Sequence, residues 1–383
     1  MKKILILFFL FLLIGTAKAE EIDLAPNASS AIMIEASTGE VLFTKNANEK
    51  LAPASMTKMM SMLLIMEEIE KGNLKFDEII TTSNRAASMG GSQIFLEVGE
   101  KMTVEDMLKG IAMASGNDAT VALAERISGT EEDFVKKMNE KARELKLKNT
   151  NFINSTGLPV ENHYSSANDM SIIAKELVKY DKILEFTSVY EDYLRKDSKS
   201  PFWLVNTNRL VRFYDGVDGL KTGFTDEAGY CLTSTAKKDN MRLITVVMNE
   251  PNSSKRSADT TKMLDYGFNM YMIENIIDDN TVIDKKEVEL GKKINTDIVS
   301  KEKITILTKK NENKRNITYK TNIDKLVAPI KKGDKVGTID IYENGKVIST
   351  VDATVKENII KANIFTIFYR NLKNIMRGNL LLK

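Results

Sequence analysis

The sequence predicts an α+β protein in which an antiparallel sheet receives a helical insertion, followed by a small all-β domain and a C-terminal amphipathic helix. Two observations carry this prediction. β-type segments lie at both ends of residues 20–276, and the segments between them carry apolar residues at helical spacing. Residues 282–355 are instead rich in Lys, Thr, Val and Ile, with turn signals between short β-type runs.

Local patterns predict the elements of the first domain in order. Ala31–Glu35 and Val41–Thr44 flank a turn and predict a β-hairpin. After Pro53, methionine, leucine and isoleucine recur at helical spacing as far as Gly72, which predicts a helix. The same reasoning predicts further helices and then strands, in this order: helices at 104–147 with a break at 115–117, a helix at 168–180, strands at 231–235 and 242–248, and a closing helix at 260–271.

The N-terminal residues 1–19 have the three parts of a secretory signal peptide. Lys2 and Lys3 precede an apolar run, and Ala17-Lys18-Ala19 supplies the small-x-small cleavage pattern. The alternative is an uncleaved anchor helix, which the shortness of the apolar run disfavours. We therefore expect export, with cleavage near Ala19.

The C-terminal residues 357–383 form the last predicted unit, after a β-rich domain at 277–356. Their apolar side chains fall on one helical face, with basic residues opposite: Ile360, Ile364, Ile367, Phe368, Leu372, Ile375 and Met376 against Arg370, Lys373 and Arg377. This pattern is typical of a helix that lies in a membrane interface, here at the outer face of the cytoplasmic membrane. The alternative is a terminal helix packed on its own domain.

Composition limits the chemistry. Among 383 residues there is one histidine, His163, and one cysteine, Cys231, so the sequence predicts no multi-ligand His/Cys metal site and no intrachain disulfide. No cofactor is expected. Without residues 1–19 the chain has 52 basic and 53 acidic side chains, since three of the 55 basic residues lie there, which argues against a nucleic-acid partner. A hydrolytic base is therefore expected to be Lys, Asp or Glu.

Three short motifs carry the chemistry. Ser55-Met56-Thr57-Lys58 begins the helix after Pro53, so that serine and lysine share one helical face and a neutral lysine would accept the serine proton. Ser115-Gly116-Asn117 places a hydroxyl and an amide in a helix break, and Lys221-Thr222-Gly223 opens the strand system. Each motif is common alone, whereas the ordered triple is the known signature of penicillin-binding proteins and class A β-lactamases.

The chain resembles the low-molecular-mass penicillin-binding proteins that are serine-type D-alanyl-D-alanine carboxypeptidases. The resemblance extends over 53–60, 157–170 and 217–225, and over the order of the domains. It implies a β-lactamase/transpeptidase-like domain, a peptidoglycan stem peptide ending in D-Ala-D-Ala as substrate, and β-lactams as covalent inhibitors.

The resemblance also implies roles for individual residues. Ser55 would be the nucleophile, Lys58 its general base, and Ser115 a proton relay to the leaving amine. Six residues would bind or polarise the substrate: Asn117, Lys221, Thr222, Gly223, Phe224 and Arg256. Among them Lys221 would keep Lys58 less protonated, and the backbone N–H groups of Ser55 and Phe224 would form the oxyanion hole.

Two other functions remain open at this point. A class A-like β-lactamase needs an added glutamate base; Glu161 and Glu185 lie in the right interval but outside a Glu-x-x-x-Asn context, and Gly116 stands where class A enzymes have Asp. A non-catalytic β-lactam sensor or wall-binding module would tolerate loss of catalytic groups, all of which are present. We interpret His163 as a loop-holding residue and Cys231 as a core residue.

Overall fold

The computed structural model describes residues 22–312 and 315–376, which form two packed domains and a terminal helix. The helices among these residues are α1 (Lys58–Glu70), α2 (Asn84–Ala87), α3 (Val104–Ala114), α4 (Asn117–Ser128), α5 (Glu131–Glu144), α6 (Ala167–Leu177), α7 (Asp181–Thr187), α8 (Leu210–Phe213), α9 (Ser253–Met270) and α10 (Ile364–Met376).

The strands belong mostly to two sheets. They are β1 (Ser30–Glu35), β2 (Val41–Lys45), β3 (Ile79–Thr81), β4 (Lys101–Thr103), β5 (Glu191–Leu194), β6 (Phe202–Val205), β7 (Val217–Thr225), β8 (Gly229–Lys238), β9 (Met241–Glu250), β10 (Tyr271–Ile277), β11 (Val282–Glu289), β12 (Asn295–Ser300), β13 (Ile304–Lys309), β14 (Ile317–Ile323), β15 (Leu326–Val327), β16 (Gly337–Glu343) and β17 (Lys346–Val355).

The first domain is built on a five-stranded antiparallel sheet with the order β2-β1-β9-β8-β7. Strand β1 is buried along its whole length, and its side chains alternate between two hydrophobic cores. Ile32 and Ile34 face the core shared with the helical insertion, whereas Ala31 and Met33 face the core shared with α9. The sheet is therefore the middle layer of three, which confirms the predicted fold class.

Helix α1 lies inside the helical insertion rather than on its surface. Nine consecutive residues, from Lys58 to Met66, are buried, and its methionines pack against α4 and α6. A helix that is apolar on all sides is expected in a domain interior. The start of α1, where the motif of Ser55 and Lys58 lies, is thus fixed by the core itself.

The second domain is a six-stranded sheet with the order β14-β16-β17-β12-β11-β15, around a core of its own. A ribbon of β10 and β13 links the two domains, since Leu307 on β13 belongs to the core under α9 and Ile304 to the core of the β-domain. The sequence analysis predicts that this domain begins at residue 277, which is the last residue of β10. Strand β10 itself pairs with β13, which follows later in the chain.

The structure differs from the sequence predictions in two places. The closing helix α9 begins at Ser253 rather than 260, because the Asn252 side chain caps it by accepting from the N–H of Lys255 at 2.9 Å. The hairpins β3–β4 and β5–β6 were not predicted, since their strands are short and partly exposed. The predicted signal peptide lies outside the described residues.

Helix α10 covers the central part of the predicted C-terminal helix. Its apolar side chains are largely exposed, with Phe365 at 79% and Ile364 at 76%. Arg370 attaches it to the β-domain by donating to the carbonyl of Gly291 at 3.0 Å. No helix among residues 22–312 and 315–376 combines the length and apolarity that a membrane span requires.

Candidate active site

Residues 54–57, which include the predicted nucleophile Ser55 and are called the nucleophile turn, form a single 3₁₀ turn that leads into α1. Ala54 has a φ of 46°, in the left-handed region that non-glycine residues seldom adopt. Gly157 lies against this turn so closely that a Cβ on it would be 1.8 Å from the Ala54 carbonyl oxygen. On another side, a Cβ on Gly223 would be 2.8 Å from the Pro53 carbonyl oxygen. Two backbones from distant segments therefore hold the turn that carries Ser55.

Lys58 is fully buried one turn beyond Ser55. Its Nζ donates to Ser55 Oγ at 3.1 Å and to the carbonyl of Thr156 at 2.7 Å. Burial lowers the pKa of Lys58 well below its usual value, and the positive charge of Lys221 lowers it further, against an opposing effect from Asp118. The amine nearest the serine hydroxyl is therefore one that gives up its proton readily.

Lys221 is the second buried lysine of the site. It lies on β7, donates to the carbonyl of Thr222 at 3.0 Å, and its pKa falls to about 7 because of burial and the charge of Arg256. Arg256 enters from α9, with its guanidinium carbon 6.0 Å from the centre of the Tyr230 ring. The surroundings thus favour the neutral form of both lysines, whereas Arg256 brings a positive charge to the cleft from α9.

Ser115 and Asn117 occupy the predicted break, between α3 and α4. Ser115 ends α3 with a φ of 66°, and its buried Oγ has no partner among the described residues. Asn117 donates through Nδ2 to the carbonyl of Gly90 at 2.7 Å, while its buried Oδ1 has no described partner. Both side chains therefore keep hydrogen-bonding capacity for another molecule.

A cleft of about 760 Å³ joins these groups. Of the predicted residues, Ser55, Ser115, Thr222, Gly223, Phe224 and Arg256 line it directly. Lys58, Asn117 and Lys221 are buried and do not line it. Within the described residues no Asp or Glu lines this cleft. Glu161 and Glu185 lie elsewhere: Glu185 is exposed and paired with Lys182 at 2.8 Å, and Glu161 lines a separate surface hollow.

Three of the predicted binding residues have contacts that the motif did not indicate. The close neighbour of Gly223 is the nucleophile turn, so this glycine is required by the Pro53 backbone as well as by access to the cleft. Thr222 donates its hydroxyl to Thr207 Oγ1 at 2.7 Å. Phe224 is half exposed and its ring centre lies 4.4 Å from that of Tyr230, so an aromatic pair borders the cleft.

Asp118 is the main residue that sequence reasoning missed. It is buried next to Asn117, and its carboxylate accepts from the backbone N–H groups of Ile94 and Leu96 at 3.0–3.1 Å. These hydrogen bonds hold the loop that contains Ile94 and Leu96 against the start of α4. The same carboxylate places a negative charge near Lys58. Its position beside the second motif was the only signal in the sequence.

His163 holds a loop, as the sequence analysis expected. Its Nδ1 accepts from the N–H of Ile153 at 3.1 Å, so Nε2 carries the proton and donates to Thr57 Oγ1 at 2.8 Å. Burial lowers the pKa of His163 to about 4, so that it stays neutral. Cys231 is buried in β8, and burial raises its pKa to about 11, as expected for a core thiol.

The chain matches two family models in succession. Residues 16–252 match the D-alanyl-D-alanine carboxypeptidase family, peptidase S11. Residues 271–361 match the C-terminal domain of penicillin-binding protein 5. The stretch between the two matches, residues 253–270, is helix α9.

Known proteins resemble the chain over most of its length. It is 54% identical to the D-alanyl-D-alanine carboxypeptidase DacF of Bacillus subtilis, over 91% of this chain and 90% of DacF. Penicillin-binding protein 5 of Haemophilus influenzae superposes with a TM-score of 0.70 at 30% identity, covering 88% of this chain and 98% of that one. Penicillin-binding protein D2 of Listeria monocytogenes, solved in its ampicillin-bound form, has a TM-score of 0.57 at 31% identity over 63% of this chain and 98% of its own.

These matches agree with the geometry of the site: a serine, two buried lysines and an arginine that lines the cleft. The family match alone covers more than half of the chain, and the relative from Bacillus subtilis extends the likeness through the β-domain. The chain belongs to the D-alanyl-D-alanine carboxypeptidase family, peptidase S11.

Proposed function

We propose that the protein removes the terminal D-alanine from peptidoglycan stem pentapeptides through an acyl-enzyme on Ser55. The observation that carries this proposal is the contact of Ser55 Oγ with the Nζ of Lys58 at 3.1 Å, together with the lowered pKa of that lysine. A lysine whose pKa is lowered in this way serves as a general base next to the hydroxyl that it activates.

In the acylation step Lys58 takes the Ser55 proton while Oγ attacks the carbonyl carbon between the two D-alanines. The backbone N–H groups of Ser55 and Phe224 stabilise the oxyanion, a contribution worth about 10²–10³ in rate per donor. Ser115 passes a proton to the leaving amine as the C–N bond breaks. Water then attacks the ester and releases the shortened peptide, which restores Ser55.

Substrate binding uses groups that line the cleft and buried groups next to it. Asn117 is free through Oδ1 to accept from a backbone N–H of the substrate. Arg256 donates to the terminal carboxylate, and the Thr222 hydroxyl, which otherwise donates to Thr207, turns towards it. Gly223 and Phe224 line the same cleft, and Lys221 is buried next to Thr222. The guanidinium of Arg256 favours a substrate that ends in a free carboxylate.

β-Lactams are proposed as covalent inhibitors that acylate the same serine. The ampicillin-bound relative from Listeria monocytogenes supports this, as does the shared fold. The β-lactamase alternative is less well supported, because neither Glu161 nor Glu185 lies at the cleft to activate water. A purely non-catalytic sensor is less well supported too, because Ser55 and Lys58 are in contact.

The test is incubation with a D-Ala-D-Ala-terminated pentapeptide, followed by mass spectrometry. We expect release of one D-alanine per peptide by the wild-type protein and none by Ser55→Ala, which should also fail to bind labelled penicillin covalently. If a preparation that penicillin acylates stoichiometrically releases no D-alanine, the proposed activity is wrong. Labelling of Ser55→Ala would mean that another residue is the nucleophile.

We further propose that the protein is exported and held on the outer face of the cytoplasmic membrane by residues 357–383. The signal-peptide pattern of residues 1–19 and the exposed apolar side of α10 support this. Deleting residues 357–383 should move the protein to the soluble fraction, whereas unchanged retention would point to an uncleaved N-terminal anchor.

A further inference from the structure

The hairpin formed by β5 and β6 carries two exposed aromatic side chains, those of Tyr193 and Trp203. We propose that the outer face of this hairpin binds a pyranose ring of a peptidoglycan glycan strand. The inference adds a sugar-binding site to the proposed hydrolysis. It rests on the proposed function only in that a stem peptide occupies the adjacent cleft.

The two faces of the hairpin differ in character. Leu194 and Leu204 belong to the hydrophobic core shared with the helical insertion, and Phe202 packs against it. Because successive side chains of a strand lie on opposite sides, Tyr193 and Trp203 lie on the other face. Their exposed fractions are 47% and 55%. The hairpin is thus packed on one face and open on the other.

The open face carries four side chains in two opposed pairs, which we call the hairpin patch. Tyr193 lies directly opposite Trp203 in the register, and Glu191 lies directly opposite Val205. Opposed residues of an antiparallel pair have Cβ atoms about 4.5–5.5 Å apart. Two aromatic rings and a carboxylate therefore share one small surface.

Val205 connects the hairpin patch to the cleft. It lines the cleft together with the next two residues, Asn206 and Thr207, and Trp203 is two positions earlier on β6. Two residues of a strand span about 7 Å. Thr207 accepts from the hydroxyl of Thr222, so β6 meets the cleft where the terminal carboxylate is proposed to bind. A sugar on the hairpin patch therefore lies beyond the free end of the stem peptide.

The composition of the hairpin patch fits a sugar. Aromatic rings offer flat apolar faces, on which the C–H groups of a pyranose ring pack. Glu191 is exposed beside them, and its carboxylate accepts hydrogen bonds such as those of sugar hydroxyl groups. The acid on the inner face, Asp192, is instead paired with Lys109 at 2.9 Å and Lys196 at 2.7 Å. The patch thus offers both the packing and the hydrogen bonding that a sugar uses.

The position of the patch also indicates which glycan strand supplies the sugar. A stem pentapeptide spans at most about 18 Å when fully extended, and its free end points away from the strand that carries it. A ring beyond that free end therefore belongs to a neighbouring strand. The enzyme would then act where two glycan strands approach each other.

Trp203 gives a direct readout, because it is the only tryptophan of the chain. The wild-type protein is titrated with chitooligosaccharides, which are β-linked N-acetylglucosamine oligomers without peptide, while tryptophan emission is recorded. We expect a saturable change in emission. Maltooligosaccharides of the same length, whose α-linkages curve the chain, are the control ligand and should cause none.

Tyr193→Ala tests the patch while Trp203 remains as the reporter. The affinity for the chitooligosaccharide should fall by at least about fivefold, because one of the two aromatic rings is lost. Tyr319→Ala is the matched control, since Tyr319 on β14 of the β-domain is 48% exposed; its affinity should equal that of wild type. An emission change that Tyr193→Ala does not weaken would place the sugar elsewhere and overturn the proposal.

A second experiment compares two substrates. The value of kcat/KM is measured for un-cross-linked glycan strands that carry pentapeptides and for the free pentapeptide. We expect the ratio of the first value to the second to be at least about fivefold lower in Trp203→Ala than in wild type, because only the first substrate has a sugar to bind. Equal ratios would mean that the patch does not bind the glycan of the substrate, and would overturn the proposal.

Failure of this inference is distinguishable from failure of the proposed activity. The absence of a sugar-dependent change in tryptophan emission, with D-alanine still released from the pentapeptide, would overturn the inference alone. If neither substrate releases D-alanine, the proposed activity is wrong, and the titration still decides whether the hairpin patch binds sugar.

Discussion

The interiors of the two domains differ in what they bury. The first domain buries nine acidic or basic side chains among its described residues: Glu35, Lys58, Asp118, Glu131, Asp169, Lys221, Glu250, Arg256 and Asp259. In the described part of the β-domain the buried polar side chains are only hydroxyls, such as Thr296 and Ser300. Burying an ionised group costs several kcal/mol of folding free energy before compensation. The first domain therefore gives up some stability in order to hold the charged groups of its proposed active site.

The buried charges of the first domain are themselves of two kinds. Asp118, Asp169 and Glu131 accept from nearby backbone or side-chain donors, which satisfies them as structural carboxylates. Lys58 and Lys221 instead have pKa values lowered by burial and by a neighbouring cation. The groups that we assign to catalysis are therefore distinguished by a shifted pKa and a neighbouring charge of the same sign, and not by burial alone.

Removal of the proposed base should have the largest effect. Lys58→Ala should lower the second-order rate of acylation by penicillin by about 10²–10⁴, the usual contribution of a positioned general base. Lys346→Ala, at an exposed lysine of the β-domain, is the control and should leave the rate unchanged. A loss of less than tenfold in Lys58→Ala would assign the base to another group.

The nucleophile turn should tolerate change less well than a turn of the β-domain. Gly157→Ala would place a methyl group 1.8 Å from the Ala54 carbonyl oxygen, so a loss of about 3 kcal/mol or more in the free energy of unfolding is expected. Gly345 has a similar φ of 80°, but no atom lies within 4 Å of the position of a Cβ there. Gly345→Ala should therefore lower the free energy of unfolding by only about 1 kcal/mol. Chemical denaturation measures both, and equal losses would contradict the close packing.

Arg256→Gln tests the recognition of the terminal carboxylate. A lost charge-assisted hydrogen bond of about 1.5–3 kcal/mol predicts a KM for the acid peptide raised by about 10- to 100-fold. The KM for the C-terminal amide should change much less. Parallel losses on the two substrates would instead indicate a general disturbance of the cleft.

The buried lysine Lys221 predicts a pH dependence of stability. Its pKa is about 7 in the folded protein and near 10.5 when unfolded, so between these values the unfolded chain binds one more proton and stability rises with pH. Lys221→Met should therefore show a shallower rise than wild type between pH 7 and pH 10, by up to about 1.4 kcal/mol per pH unit. Lys346→Met, at an exposed position, should follow wild type, and identical slopes in all three proteins would reject the low pKa.

The motifs made much of the site predictable, because each lies at a local feature that sequence can indicate. Ser115 and Asn117 fall at a helix break, and Ser55 follows a proline at a helix start. The start of α9 was missed because its first two turns, Ser253–Thr260, are polar and show no apolar periodicity. Asp118 escaped notice because a carboxylate becomes distinctive only when tertiary packing buries it.

The two glycine contacts on the nucleophile turn have a consequence for drug resistance. Gly157 and Gly223 lie against the carbonyls of Ala54 and Pro53. Ser55 therefore has little freedom to move away from an antibiotic and still react with its peptide substrate. Variants that escape β-lactams yet keep activity should therefore arise at exposed residues that line the cleft, such as Ser92. Selection under drug would then reshape the entrance and spare the reactive serine.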